Sequence, residues 1–156
     1  MKNPSRVAAA LFGAALALLL SSCSTVPFAQ RPKNAMRVIE LFNSGDVQSL
    51  DNISQVPFLF NGEIVELRED VNTIWSNLSK SGLKLTNAQV ADAQPIGPDT
   101  YKMFADTMEV KVFFQKYLPK GAALVHITFS GGSFDLLLDG ARRGYPLVIG
   151  IKAGQA

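Results

Sequence analysis

The sequence predicts an α+β domain in which a curved antiparallel sheet packs against N-terminal helices. Two segments of the first half, 34–43 and 70–81, repeat apolar residues at every third or fourth position, which is the spacing of one helical face. Most of the chain after residue 82 consists instead of short apolar and β-branched runs separated by turn residues. Helices that precede a group of strands, without regular alternation of strand and helix, favour the α+β class.

The first predicted helix covers 34–43 and is followed by clear stop and start signals. Its apolar face consists of Ala35, Val38, Ile39 and Phe42. Gly45 comes next and can end the helix in a left-handed conformation. Asp46 can then cap a short second helix that runs through about Asn52. The pattern therefore predicts two consecutive helices before the first strand.

The third predicted helix covers 70–81. Its apolar face consists of Val71, Ile74, Trp75 and Leu78. Glu69 and Asp70 lie in the first turn, where negative charge is favourable, and Gly82 lies just beyond the last turn. We expect Trp75 to be buried against the sheet.

The strands are predicted from the turn residues between apolar runs. Asn61-Gly62 divides the segment 56–67, and because both residues tolerate positive φ this segment is expected to be a hairpin. A second hairpin is expected around the turn residues 130–132. The predicted strands of the second half are 83–96, 101–104, 122–129, 133–139 and 146–152.

Residues 107–118 fit either a strand or a helix. Met108, Val110, Val112 and Phe114 alternate as in a strand. The residues Val110, Phe113, Phe114, Tyr117 and Leu118 instead form a helical stripe. Asp106 and Glu109 resemble a capping box at its start. We favour the helix.

The order of these elements resembles the NTF2-like (SnoaL-like) fold over residues 34–152. In that family a curved sheet wraps round N-terminal helices, and the cystatin-like cone is a related alternative. The resemblance implies a cone-shaped pocket, which in other members serves isomerases, cyclases and dehydratases.

The first 22 residues have the layout of a secretory signal peptide. Lys2 and Arg6 form a positive start, 7–20 is an uncharged apolar run, and two serines follow. The run is shorter than the roughly 20 apolar residues needed to span a bilayer. We therefore interpret 1–22 as a segment removed from the mature protein.

Leu20-Ser21-Ser22-Cys23 resembles the lipobox of bacterial lipoproteins. The resemblance implies that the thiol of Cys23 carries a diacylglyceryl group and that cleavage makes Cys23 the mature N-terminus, tethered to the lipid bilayer. It also explains why the chain has a single cysteine. Ser24, rather than an aspartate, implies the outer membrane. The prediction is a lipidated tether at 23–33, with two prolines, and one domain at 34–156.

The charge balance argues against nucleic acid as a partner. The chain has 15 Lys and Arg against 13 Asp and Glu, and the predicted cleavage removes Lys2 and Arg6. A balanced mature domain without a basic run has no electrostatic reason to bind a phosphate backbone.

His126, the one histidine of the chain, is the main candidate for chemistry. If Gly131-Gly132 forms the hairpin turn, Thr128 lies opposite Asp135 and His126 opposite Leu137. These three polar residues then share one face of the hairpin, and the apolar residues share the other. One interpretation is a His126–Asp135 acid/base pair, with Tyr101 as a further candidate. The interpretation that we favour is a solvated sheet face.

Other chemistry has little support in the sequence. One histidine, a lipidated cysteine and scattered carboxylates do not have the spacing of metal ligands, so no metal or cofactor is expected. Arg142 and Arg143 lie between two glycines and are candidates for contact with an anion or an acidic partner, although a solvated pair is the simpler interpretation.

Two classes of function follow. The first is a non-catalytic binding or assembly module of the cell envelope, whose partner is an envelope protein or a small apolar ligand. The second is a small pocket enzyme of the isomerase or dehydratase type that uses His126 and Asp135. We favour the first.

Overall fold

The computed structural model describes residues 30–139 and 146–154. The predicted signal peptide, Cys23 and the Arg142-Arg143 pair lie outside these ranges. The helices are α1 (Arg31–Ser44), α2 (Val47–Asn52), α3 (Arg68–Lys80) and α4 (Met108–Tyr117), and a 3-10 turn covers Thr100–Met103. The strands are β1 (Ser54–Phe60), β2 (Glu63–Val65), β3 (Gln89–Pro95), β4 (Ala123–Phe129), β5 (Gly132–Leu138) and β6 (Val148–Ala153).

The six strands form one curved, open sheet in the order β2-β1-β6-β5-β4-β3, which confirms the α+β class. The prediction of a wholly antiparallel sheet is wrong, because β6 runs parallel to β1 and antiparallel to β5. β6 pairs antiparallel with β5, the strand before it in the chain, and β1, the strand on its other side, runs in the same direction as β6. Gly150 permits β6 to lie between these strands, since it pairs with Leu59 where a Cβ atom would come 2.6 Å from the Leu59 carbonyl oxygen.

Three helices cover one face of the sheet, which we call the inner face. The residues that were predicted to form the apolar side of α1 are all buried, and so is Leu50 in α2. Trp75 in α3 is 1% exposed, as predicted, and its ring meets Phe58 edge to face at 6.0 Å between centroids. Its Nε1 donates to Ser54 Oγ over 2.9 Å. The Ser54 hydroxyl donates in turn to the Leu50 carbonyl at 2.7 Å, so one hydrogen-bond chain joins α3, β1 and α2.

The opposite face, which we call the outer face, has its own apolar core, which we call the second core. The sheet contributes Leu59, Leu124, Leu137 and Ile149, and the covering layer contributes Tyr101, Phe104, Val110, Phe113 and Phe114. The covering layer is α4 together with the 3-10 turn, so the helical interpretation of 107–118 is confirmed. Its N-cap is Thr107, whose Oγ1 accepts from Val110 N at 3.3 Å, rather than Asp106.

Two predicted strands differ from the structure, one entirely and one at its start. Residues 101–104 are not a strand, because a 3-10 turn places Tyr101 and Phe104, three positions apart, on the same side and in the second core. The strand predicted at 83–96 begins only at Gln89. Before it, the Asn43 side chain bonds both backbone groups of Leu85, at 2.8 and 3.2 Å, and so takes the place of a neighbouring strand.

The first helix begins earlier than its apolar pattern indicates. Arg31, Pro32 and Lys33, which the sequence places in the tether, form the first turn of α1, where a proline costs no hydrogen bond. Arg31 is buried, and burial lowers the pKa of its guanidinium while the charge of Asp139 opposes that shift. Asp139 follows β5 directly, so this interaction links the start of α1 to the end of that strand.

Across residues 30–139 and 146–154, every helix is too short or too polar to cross a bilayer.

Candidate functional site

A pocket of about 150 Å³ lies between α1, α3 and the inner face of the sheet. Buried side chains, among them Val38, Trp75 and Leu136, form its floor. Exposed residues, Asn61 and Leu83, lie at its mouth. The helical stripes that were predicted from the sequence therefore do more than fill a core, since part of their apolar face remains open to a ligand.

Five aromatic side chains contribute to the walls of the pocket, beside a larger number of aliphatic ones. The aromatic side chains come from both helices and from three strands: Phe42, Phe60, Trp75, Phe129 and Phe134. Phe129 and Phe134 pack against one another across the last hairpin, with their centroids 6.0 Å apart. A concave, aromatic and aliphatic lining of this kind binds apolar groups.

The described lining contains no acidic, basic or histidine side chain. Its two polar residues are Asn61 and Ser133. General acid–base catalysis needs a group that exchanges a proton near the reacting atoms, and neither an amide nor a serine hydroxyl without a neighbouring base does so. The described walls are suited to contact with apolar groups.

Asn61 holds a fixed position at the junction of β1 and β6. It adopts a positive φ of 51° in the turn with Gly62, as the sequence predicted. Its backbone N–H donates to Ile151 O at 2.9 Å, and its Oδ1 accepts from Ala153 N at 2.8 Å. Within the described chain its Nδ2 has no hydrogen-bond partner. Sequence reasoning recognised Asn61 as a turn residue only, because nothing in its neighbours signals that it lines a pocket.

The predicted register of the last hairpin is wrong by two residues. His126 pairs with Asp135 and Thr128 with Ser133, because Ser130-Gly131 forms the turn and Gly132 already pairs with Phe129. Gly132 has a φ of 146°, which glycine adopts readily, and this lets it serve as a strand residue directly after the turn. The side-chain faces are as predicted, since a shift of two residues preserves them.

His126 and Asp135 form a close pair. The distance from His126 Nδ1 to Asp135 Oδ1 is 2.7 Å, and the side chains are 40% and 11% exposed. Their neighbours along the strands, Leu124 and Leu137, belong to the second core. The pair therefore lies on the outer face, with the sheet between it and the pocket.

The pair belongs to a polar row that crosses four strands. Asp92 on β3 lies opposite His126, and Lys152 on β6 lies opposite Asp135. Lys152 Nζ donates to the carbonyl oxygens of Met103 and Phe104, the latter at 3.0 Å, and so holds the 3-10 turn against the sheet. The Lys152 ammonium group of this row is therefore engaged in a structural contact.

Tyr101 is not part of the His126 site. It is buried in the second core and meets Phe114 edge to face at 6.5 Å between centroids. In the described chain its hydroxyl bonds neither His126 nor Asp135. The three catalytic candidates thus reduce to one pair. Among the described residues no three His, Cys, Asp or Glu side chains converge into a group that could hold a metal ion.

Comparison of the chain with protein-family models, with curated proteins and with solved structures finds no match.

Proposed function

We propose that the mature chain is a non-catalytic binding module, tethered to the bacterial cell envelope through a lipidated Cys23, and that it takes a small apolar group into the inner-face pocket. The observation that carries this proposal is the pocket itself: its walls, as far as the described residues form them, are aromatic and aliphatic and contain no titratable side chain. Such a lining favours retention of an apolar ligand over its chemical conversion.

The fold that we propose is NTF2-like. The helices come first, the sheet is curved, and a pocket lies between them, as the resemblance implies. The helix α4, inserted between β3 and β4, is an addition to the plain pattern. Because related folds serve many functions, this proposal supports a pocket but no particular activity.

The second candidate function is a small enzyme that uses the His126–Asp135 pair. The 2.7 Å contact favours it, since a carboxylate that binds one imidazole nitrogen orients the ring for proton transfer at the other. The binding module remains our first proposal, because the pair lies on the outer face and the pocket lies on the inner face.

A Leu78→Phe substitution should weaken binding of an apolar probe such as isopropylbenzene by about fivefold or more, because the larger side chain fills part of the pocket that Leu78 lines. Binding can be followed through the fluorescence of Trp75, which is the one tryptophan of the chain and lines the same pocket. The matched control is Leu67→Phe. Leu67 is 60% exposed and lies outside the lining, so this variant should bind as the wild type does.

Two results would count against this site. Equal affinities in the two phenylalanine variants would show that the probe binds elsewhere. Failure of the wild type to bind isopropylbenzene at any soluble concentration would reject the proposed binding function.

A Cys23→Ser substitution should release the protein from the membrane fraction or leave the precursor uncleaved. A serine hydroxyl cannot replace the thiol that carries the lipid in lipoproteins, and stable anchoring requires two or more acyl chains. Membrane fractionation and intact-mass measurement of the native protein test this prediction. A native protein with an unmodified Cys23 thiol would reject the lipid anchor, whatever the pocket binds.

A further inference from the structure

We infer that the pocket binds a neutral small molecule with one ring-sized apolar group and one hydrogen-bond acceptor, and that Asn61 Nδ2 binds the acceptor. This inference rests on the proposed binding function and specifies its ligand class. Four observations, on size, charge, polarity and the surface round the mouth, lead to it.

The size of the pocket selects a single ring. Its volume is about 150 Å³. An apolar cavity of about that size, lined by aliphatic and aromatic side chains, holds one benzene molecule. A long acyl chain or a fused polycyclic ligand would extend well beyond the walls into solvent.

The charge of the lining selects a neutral ligand. No described lining residue is ionisable, so neither an anion nor a cation would find an opposite charge there. Lys84, close in sequence to the lining residues Leu83 and Leu85, donates its Nζ to the Asn43 carbonyl. Transfer of an unpaired charge from water into such a lining is strongly unfavourable.

The polar part of the lining selects a hydrogen-bond acceptor. The bond from Ala153 N to Asn61 Oδ1 fixes which end of the amide is the oxygen, and it leaves Nδ2 as a donor without a partner in the described chain. The hydroxyl of Ser133, the other polar lining residue, lies against the backbone of Gly154. A Cβ atom on Gly154 would overlap Ser133 Oγ. Asn61 is therefore the residue that can select a carbonyl or ether group.

The surface round the mouth favours a free small molecule over a protein partner. Four of the large apolar side chains that are exposed in the described ranges do not line the pocket: Leu67, Met103, Met108 and Val112. Leu83 is the exposed large apolar side chain that does. A protein that inserted one anchoring side chain would need a broader apolar rim to exclude water.

The test compares acetophenone, which has one ring and one acceptor, with isopropylbenzene, which has nearly the same shape and no acceptor. Asn61→Asp should weaken acetophenone binding by about fivefold, the effect of one hydrogen bond, and change isopropylbenzene binding by less than about twofold. The aspartate retains an oxygen for Ala153 N and tolerates positive φ, so the turn is preserved. Asn87→Asp is the matched control, because Asn87 also has a positive φ, of 55°, and does not line the pocket.

A measurement on the wild type makes the test independent of the variant's folding. Saturation with acetophenone should shift the side-chain amide resonances of Asn61 in a proton–nitrogen NMR spectrum, whereas isopropylbenzene should leave them nearly unchanged. Unchanged Asn61 amide resonances under acetophenone, or tighter binding of benzoate than of acetophenone, would overturn the inference. If neither neutral probe bound, the proposed function itself would fail, which is a distinguishable result.

Discussion

Replacement of Trp75 by alanine is expected to lower the free energy of unfolding by about 3–5 kcal/mol, as removal of a buried aromatic side chain does in a close-packed interior. Trp75 is 1% exposed and packs edge to face on Phe58. The substitution also removes the N–H that Ser54 Oγ accepts at 2.9 Å, so α3 loses its polar link to β1 as well as its main apolar contact.

The expected loss is large in relation to the stability of a domain of this size. Domains of this kind are typically stable by about 5–15 kcal/mol, so the substitution should remove a large fraction of the free energy of unfolding. Urea denaturation followed by far-ultraviolet circular dichroism measures the loss without tryptophan fluorescence. Trp75→Phe is the matched control: it keeps a ring against Phe58 and should lose clearly less. A wild-type midpoint for the alanine variant would contradict the position of Trp75 in the core.

Replacement of Gly150 by alanine is expected to have the second largest effect. A Cβ atom at this position would lie 2.6 Å from the Leu59 carbonyl oxygen and 2.8 Å from Leu59 Cβ. Since the first of these is a backbone atom in the paired strand, rotation of a side chain cannot relieve the contact. Overpacking of a core typically costs about 1–3 kcal/mol, and displacement of the β1–β6 pairing places this substitution at the upper end of that range.

The control for this prediction is Gly97→Ala. A Cβ atom at Gly97 would meet only Thr100 Oγ1, at an ordinary 3.6 Å, so that variant should unfold with a nearly unchanged midpoint. Hydrogen exchange of the β1 and β6 amides offers a second readout, because faster exchange in Gly150→Ala should be concentrated in those two strands. Equal midpoints for the two alanine variants would contradict the close approach of β6 to β1.

The elements that sequence reasoning predicted well are those that depend on neighbours along the chain. The stripes of α1 and α3 are visible as three- and four-residue spacings, and the hairpin at Asn61-Gly62 is visible because two adjacent residues tolerate positive φ. Asp46 caps α2 as predicted, since its Oδ1 accepts from Ser49 N at 3.0 Å. In each case the signal and the structure lie within a few residues of one another.

The elements that sequence reasoning missed depend on contacts between distant residues. Leu85 is apolar and precedes a strand, yet Asn43, forty-two positions earlier, bonds its backbone and prevents pairing. The sequence predicts Tyr101 and Phe104 to be strand residues. In the structure both side chains lie on one side of a 3-10 turn, because they pack with α4 in the second core. In both cases a long-range contact overrides the local strand pattern, and the residues next to Leu85 or Tyr101 in sequence give no sign of that contact.

The candidate site also has one part that local sequence patterns predict and one part that depends on contacts between distant residues. The shared face of His126 and Asp135 follows from strand alternation, so it was predictable even though the register was wrong. The residues that line the pocket were not predictable in this way. They come from two helices, four strands, the turn at Asn61 and the loop at 83–85, whose relative placement no local pattern encodes. The position of the His126–Asp135 pair on the outer face was not predictable either, because no sequence pattern indicates which face of the sheet α4 covers.

The position of β6 has a consequence for when the molecule can fold. Its pairing with β1 joins residues about ninety positions apart, as in the bond between Ala153 N and Asn61 Oδ1. Without β6, the sheet divides into the pair β2-β1 and the group β5-β4-β3. Pairing at such separation is slow, because a large loop must close before any contact is gained. A nascent chain that lacks 148–153 therefore cannot complete its sheet, so the pairing of β1 with β6 waits until nearly the whole domain has been synthesised.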